Sequence, residues 1–204
     1  MEIHRQTGLA YKTCLFMLHR VRHAMDEQDI EPLSGIVEVD EVYIGGKPRK
    51  IHRSFKTIKK AKIPVVGLLQ RNGKVRPRVV ADVTGKTLRK VIAENVEQSA
   101  HIMTDDWSGY RKLGSQGWKH DTVSHGANEF VRGQVSTNGI ENFFGNLRRG
   151  LNGIFHAVSK KHLHRYLSEF EFRFNRRELT DGQRLVAAIK SAQGKRLTYA
   201  EQVR

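Results

Sequence analysis

Residues 36–44 read Ile-Val-Glu-Val-Asp-Glu-Val-Tyr-Ile, a run of β-branched and aromatic side chains with three carboxylates set into it. Val, Ile and Tyr suit a pleated, half-buried surface, so the run is a strand, and Gly45-Gly46 ends it. Alternation puts Ile36, Glu38, Asp40, Val42 and Ile44 on one face and turns Glu41 to the other. An acid among apolar neighbours is either hydrogen-bonded structure or a group that holds a ligand. That choice organises the reading of the chain.

Two further strands are predicted at Ile63–Leu69 and Pro77–Val83, joined by a hairpin turn at Asn72-Gly73. A helix follows from Thr87 to Gln98, capped at Thr84, and leads to a short strand at Ala100–Thr104. Another short strand is predicted at His120–Ser124. Next comes a long helix, Asn138–Leu151, whose Ile140, Phe143, Phe144, Leu147 and Leu151 repeat at helical period and must pack on the sheet. A second runs from Ser159 to Asn175, buried through Leu163, Tyr166, Leu167, Phe170 and Phe174. Antiparallel strands followed by alternating helices and strands give an α/β mixed sheet, not a bundle.

The 204 residues suffice for one sizeable domain with small appendages. Residues 1–30 are expected to form a partial helix-turn-helix-like segment. Its helix from Tyr11 to Met25 carries an apolar stripe of Cys14, Leu18, Val21 and Met25, with Arg20, Arg22 and His23 off it. An ordinary amphipathic helix explains the same stripe. Residues 34–177 hold the sheet, and residues 178–204 read as a polar tail with one short helix near Leu185–Ile189.

Charge narrows the partners. Lys and Arg number 36 against 21 Asp and Glu, a net charge of +15, more than solubility requires. Such an excess points to a polyanion, and to DNA or RNA before lipid. No apolar run is long enough for a membrane span, and the N-terminus lacks the apolar core of a signal peptide. The lone Cys14 excludes an internal disulfide framework and a Cys-based zinc ribbon, so cytoplasm is the expected compartment.

Within this basic chain three acids stand in separate elements. Asp40 is in the first strand, Asp105-Asp106 follow the fourth, and Glu141 lies in the first turn of the long helix, beside its apolar stripe. Strand C-termini of α/β sheets present ligand groups. Carboxylates from three elements suit a pair of Mg²⁺ (or Mn²⁺) ions, which bind oxygen and clamp both oxygens of a phosphodiester displacement. Each acid also has a structural explanation: a buried hydrogen bond, a turn or cap, a complement to the helix dipole.

Their order along the chain is that of the ribonuclease-H-like fold. With it the sequence resembles the DDE transposases of bacterial insertion sequences, and within them the ISXO-like group, the IS-fifteen-ninety-five family. The matching segments are Val37-Glu38-Val39-Asp40-Glu41-Val42-Tyr43-Ile44-Gly45-Gly46-Lys47, Met103-Thr104-Asp105-Asp106 with Tyr110, and Thr137-Asn138-Gly139-Ile140-Glu141-Asn142-Phe143-Phe144. Val158-Ser159-Lys160-Lys161-His162-Leu163, running on to Phe174-Asn175-Arg176-Arg177, completes them.

The resemblance implies that Asp40, Asp105 and Glu141 are the catalytic, metal-binding triad, with Asn138 and His125 in support. Ser136 stands where that family often has His. The family usually carries a zinc ribbon and a complete helix-turn-helix upstream. Met1 to Gln6 is too short for a stable supporting helix, so less than about tenfold preference for element ends over random DNA is expected of this chain alone.

Two basic tracks are candidate DNA contacts. Lys47, Arg49, Lys50, Arg53, Lys56, Lys59, Lys60 and Lys62 follow the Asp40 strand without an intervening acid, and Arg148, Arg149, Lys160, Lys161 and His162 form the second. Trp107 and Trp118 are expected to fill core. The implied activity is metal-dependent cleavage of element ends followed by strand transfer into target DNA, by a homodimer or higher oligomer. The alternatives are a nuclease or resolvase on the same fold, or an inactive DNA-binding relic or regulator.

Overall fold

A computed structural model describes residues 2–27, 31–45, 62–124, 131–156 and 158–203. The chain divides into two compact units, Ile30–Leu163 and Met1–Asp29 with His164–Arg204.

The larger unit is built on a five-stranded sheet. Strand β1 (Ile36–Ile44) lies at its centre, flanked by β2 (Ile63–Gln70) and β4 (His101–Asp105), with β3 (Val75–Val79) and β5 (Lys119–Val123) outside. β2 runs antiparallel to β1 and to β3, while β4 is parallel to β1 and to β5. This is the ribonuclease-H-like mixed sheet. Asn72 takes a left-handed φ of 57° in the β2–β3 turn, as its place before Gly73 requires. The third strand runs from Val75 to Val79, not Pro77 to Val83. The tight turn returns the chain at once, and Pro77 is tolerated because β3 is an edge.

Helix α3 (Gly85–Asn95) covers one face of the sheet, with Thr84 Oγ1 accepting from the Thr87 amide at its start. Its Leu88, Val91 and Ile92 join Val37, Val39, Val66, Leu68, Ile102, Tyr110 and Trp118 in the main core. Helix α4 (Asn138–Gly150) covers the opposite face with Ile140, Phe143, Phe144 and Leu147, and continues as a π-helical turn, Leu151–Phe155. A short hairpin of β6 (Val131–Arg132) and β7 (Val135–Ser136) precedes α4. Between β4 and β5 the chain makes two 3-10 turns, Ser108–Tyr110 and Gly114–Gln116.

Two glycines let α4 lie close. A Cβ on Gly67, the cross-strand neighbour of Asp40, would sit 2.5 Å from Phe144 Cζ and 2.6 Å from Ile140 Cδ1. One on Gly139 would meet Leu69 Cδ2 at 2.6 Å. Neither position admits a Cβ unless those side chains, or the helix that bears Glu141, shift.

The smaller unit is helical. It contains α1 (Glu2–Thr7), α2 (Tyr11–Ala24), most of α5 (Leu163–Asn175), α6 (Asp181–Ser191) and α7 (Tyr199–Val203). The N-terminal residues expected to be too short for a helix do form a six-residue one, closed by Glu2–Arg5 pairing and by Thr7 Oγ1 donating to the Ile3 carbonyl. The buried face of α2 also differs from the apolar stripe: Cys14, His19, Arg22 and Ala24 are buried, while Val21 is 49% exposed. Arg22 is drawn inward by α5, pairing with Glu169 at 2.8 Å and lying 4.1 Å over the Tyr166 ring. Polar contacts, not hydropathy, set that face.

In α5 it is Phe172 that is fully buried, where Phe170 and Phe174 had been expected. The C-terminal segment holds a full eleven-residue helix with a Thr180–Gln183 capping box, and α7 beyond it, instead of one short helix. Among the described residues no helix is long and apolar enough to cross a membrane.

Candidate active site

The site forms at the end of β4, beside the middle of β1 and the start of α4. Period 2 along β1 sends Glu38 and Asp40 toward α4 and Glu41 toward the other layer. There Tyr110 donates its hydroxyl proton to Glu41 Oε2 at 2.6 Å. Glu41 is thereby tethered away from the Asp40 face. Burial raises the carboxyl of Glu41 above the usual range, against the Tyr110 hydrogen bond and with the help of Asp105. Burial and the Glu41 charge push the Tyr110 hydroxyl well above its ordinary value.

Asp40 is pushed up to about 7, first by burial and then by the like charges of Glu41, Asp105 and Glu141. Its Oδ1 accepts from the Glu41 amide at 2.7 Å, which works in the opposite direction. The structure thus brings Asp40, Asp105 and Glu141 into one electrostatic neighbourhood, from two strands and one helix. Among the described residues they are not drawn into a closed group of three ligands. Like-charge repulsion opposes that closure.

Each of the other two carboxylates has its own hold. Asp105 Oδ1 accepts from the Trp107 amide at 3.1 Å. Asp106 is turned away, accepting from Ser124 Oγ at 2.8 Å. Glu141 Oε1 accepts from the buried Thr137 hydroxyl at 2.8 Å.

Behind these lies a clamp that the sequence did not signal. Glu38, 2% exposed, accepts through Oε2 from the backbone amide of Ile140 at 3.0 Å. It thereby satisfies one of the orphan amides at the N-terminus of α4, where Thr137 makes no side-chain cap. The other oxygen, Oε1, accepts from Arg71 Nε at 2.9 Å. Arg71 also donates to the Gln134 carbonyl at 2.6 Å and to the Ser136 carbonyl and hydroxyl at 3.2 and 3.0 Å. One arginine in the β2–β3 turn therefore ties β1 to the chain entering α4. Ser136 takes part as an acceptor in that clamp.

Of the other predicted site residues, Asn138 is exposed at the first position of α4. Arg148 and Arg149 are exposed near its end, and Lys160 and Lys161 are exposed in a 3-10 turn, Lys160–His162. Lys62 is exposed and lines the same cleft as Lys160. His125, Lys47, Arg49, Lys50, Arg53, Lys56, Lys59 and Lys60 lie outside the described residues. Trp118 is core as expected, its Nε1 donating to the Glu97 carbonyl. Trp107 is not: it is 47% exposed, because it follows Asp105 off the end of β4 instead of running back under α3.

The profile described as ISXO2-like transposase domain matches residues 32–175. An uncharacterized transposase-like protein of Haemophilus influenzae is 33% identical over 106 residues, which are 52% of this chain and 85% of that protein. An uncharacterized protein in transposable element ISH50 of Halobacterium salinarum is 28% identical over 186 residues, 84% of this chain and 63% of that one. The chain thus spans less than two thirds of the halobacterial relative. Among solved structures, the catalytic core domain of BIV integrase is similar with a TM-score of 0.48 at 13% identity, over 78% of this chain and 95% of that one.

Proposed function

The chain belongs to the ISXO2-like transposase family, and we propose that the site around Asp40 cuts the ends of an insertion sequence and joins them to target DNA. The observation that carries this reading is the placement of Asp40 on β1, Asp105 at the end of the adjacent parallel strand β4 and Glu141 in the first turn of α4, their charges acting together on Asp40, in a chain of net charge +15. A basic protein that gathers carboxylates on one rim is built to hold a cation there.

The donors fit such a group. They are carboxylate oxygens without thiol or imidazole, the set preferred by Mg²⁺ or Mn²⁺, and phosphodiester displacement by such a set commonly uses two ions. Asp40, Asp105 and Glu141 would be the ligands. A bound cation supplies charge neutralisation at the phosphoryl oxygens and a lowered pKa for attacking water.

The remaining work falls to the chain's own groups. The Glu38–Arg71 clamp fixes the start of α4, and Thr137 orients the Glu141 carboxylate. The Trp107 amide holds Asp105, and Asn138 borders the same helix start. Basic side chains, Lys160, Lys161, Arg148 and Arg149 among them, neutralise phosphates and hold the duplex in register. Water is the nucleophile in cutting and the freed 3′-hydroxyl in joining, so the protein contributes positioning and electrostatics. Two ends handled together call for at least two copies of the chain, acting on DNA in the cytoplasm.

Incubating the chain with labelled element-end duplex and target plasmid, with and without Mn²⁺ or Mg²⁺, tests the reading. Metal-dependent joined product is expected. Cutting without joining would favour a nuclease or resolvase, and no product at all a DNA-binding relic or regulator.

A further inference from the structure

A second feature of the larger unit lies beside the carboxylates and is not explained by them. A cleft of about 890 Å³ runs between the end of β1, the start of α3 and the turn after β4. Its wall carries six cations, Lys62, Lys86, Arg89, Arg111, Lys112 and Lys160. Among the described residues none of the six is in an ion pair. The single acid in the wall, Asp82, is already engaged, accepting through Oδ1 from the Thr84 amide and from the hydroxyls of Thr84 and Thr87. Concave, unpaired positive charge of this kind concentrates a polyanion.

The same cleft holds two aromatic rings. Tyr43 is 41% exposed and Trp107 is 47% exposed, and among the described residues of this unit they are its exposed aromatic side chains. A positive groove with accessible aromatic faces is the construction by which proteins hold unpaired nucleotides, since every base offers a π-face. Trp107 also stands two residues after Asp105, and its amide donates to that carboxylate. A base resting on the indole would therefore lie next to the reacting phosphate.

We propose that this cleft binds a single-stranded DNA segment flanking the scissile phosphate, with one unpaired base stacked on Trp107 and its backbone tracked by the surrounding lysines and arginines. The assignment rests on the transposase reading for the identity of the phosphate, but the stacking is measurable without chemistry.

The test uses the full chain in EDTA. A duplex with a short single-stranded overhang bearing 2-aminopurine at the junction is compared with a blunt duplex of equal length. Wild type should quench the 2-aminopurine and prefer the overhang. Trp107→Ala should lose the quench and about 5- to 160-fold of that preference, the range for loss of one base–aromatic stack. Trp107→Phe should keep both, which separates stacking from a general defect. Joint Lys62→Gln and Lys112→Gln substitution should flatten the salt dependence of overhang binding by about 0.7 in log–log slope per lost contact.

A Trp107→Ala protein that quenches and discriminates like wild type would overturn the proposal. So would an unchanged salt slope, or a preference for an RNA overhang of the same sequence. Metal-dependent joining is scored separately. Wild type that quenches but never joins would remove the transposase reading and leave the cleft, whereas joining with no role for Trp107 would do the reverse.

Discussion

Glu38 Oε2 accepts a hydrogen bond from the backbone amide of Ile140, 102 residues further along the chain. The strand that carries Asp40 thus caps the helix that carries Glu141, and two carboxylates remote in sequence are held to one geometry by a third. Glu38 is an acid of the structural kind, and the proposed function assigns the ligand-holding kind to Asp40, on the same face two residues later.

Glu38→Ala should cost about 3 kcal/mol in urea unfolding, the lower end of the range for breaking a buried ion pair, because Arg71 is partly exposed. Glu38→Gln should cost less, since an amide oxygen can still accept from Ile140. A Glu38→Ala protein within 0.5 kcal/mol of wild type, roughly the scatter of neutral surface changes, would mean that the clamp is ornamental.

Gly67→Val tests the close approach of α4. Its side chain would meet Phe144 and Ile140 from directly across Asp40. Overpacking typically costs about 1–3 kcal/mol, and Phe144→Leu in the same chain should recover part of it. A stable, fully active Gly67→Val would show that the helix docks less closely.

How much of this was legible beforehand differs by kind of interaction. The strand at Ile36–Ile44, the Asn72-Gly73 hairpin and the helix from Asn138 followed from local signals: alternation, turn chemistry and the spacing of Ile140, Phe143, Phe144 and Leu147. Arg71 carried no such signal, because its partners Glu38, Gln134 and Ser136 are remote in sequence. The burial of Arg22 and the exposure of Trp107 carry no local signal for the same reason. Periodicity ranks side chains by hydropathy, but Arg22 is buried by Glu169 and Tyr166, and Trp107 is exposed by where β4 stops.

The pH response of the metal-free chain follows from Asp40. Its carboxyl is raised, chiefly by burial, from 3.8 to about 7. The folded state therefore holds this proton more tightly than the unfolded chain. The resulting stabilisation is complete below about pH 4, is lost as pH rises toward 7, and is absent above that. Its size is on the order of 4 kcal/mol. Asp40→Asn should remove that slope and be more stable than wild type at pH 8 in EDTA. Parallel stability curves for the two proteins between pH 4 and 8 would contradict the assignment.

The most direct measurement compares Asp40→Asn, Asp105→Asn, Glu141→Gln and Asp106→Asn in the metal-dependent joining of labelled end DNA, with duplex binding measured alongside. The first three should lose joining by at least about a hundredfold, as expected when a group acting in the transition state is removed, while still binding duplex. Asp106→Asn, whose side chain is occupied with Ser124, should join at a rate near wild type. An active Asp105→Asn beside an inactive Asp106→Asn, or joining by any of the three triad variants at the wild-type rate, would contradict the account.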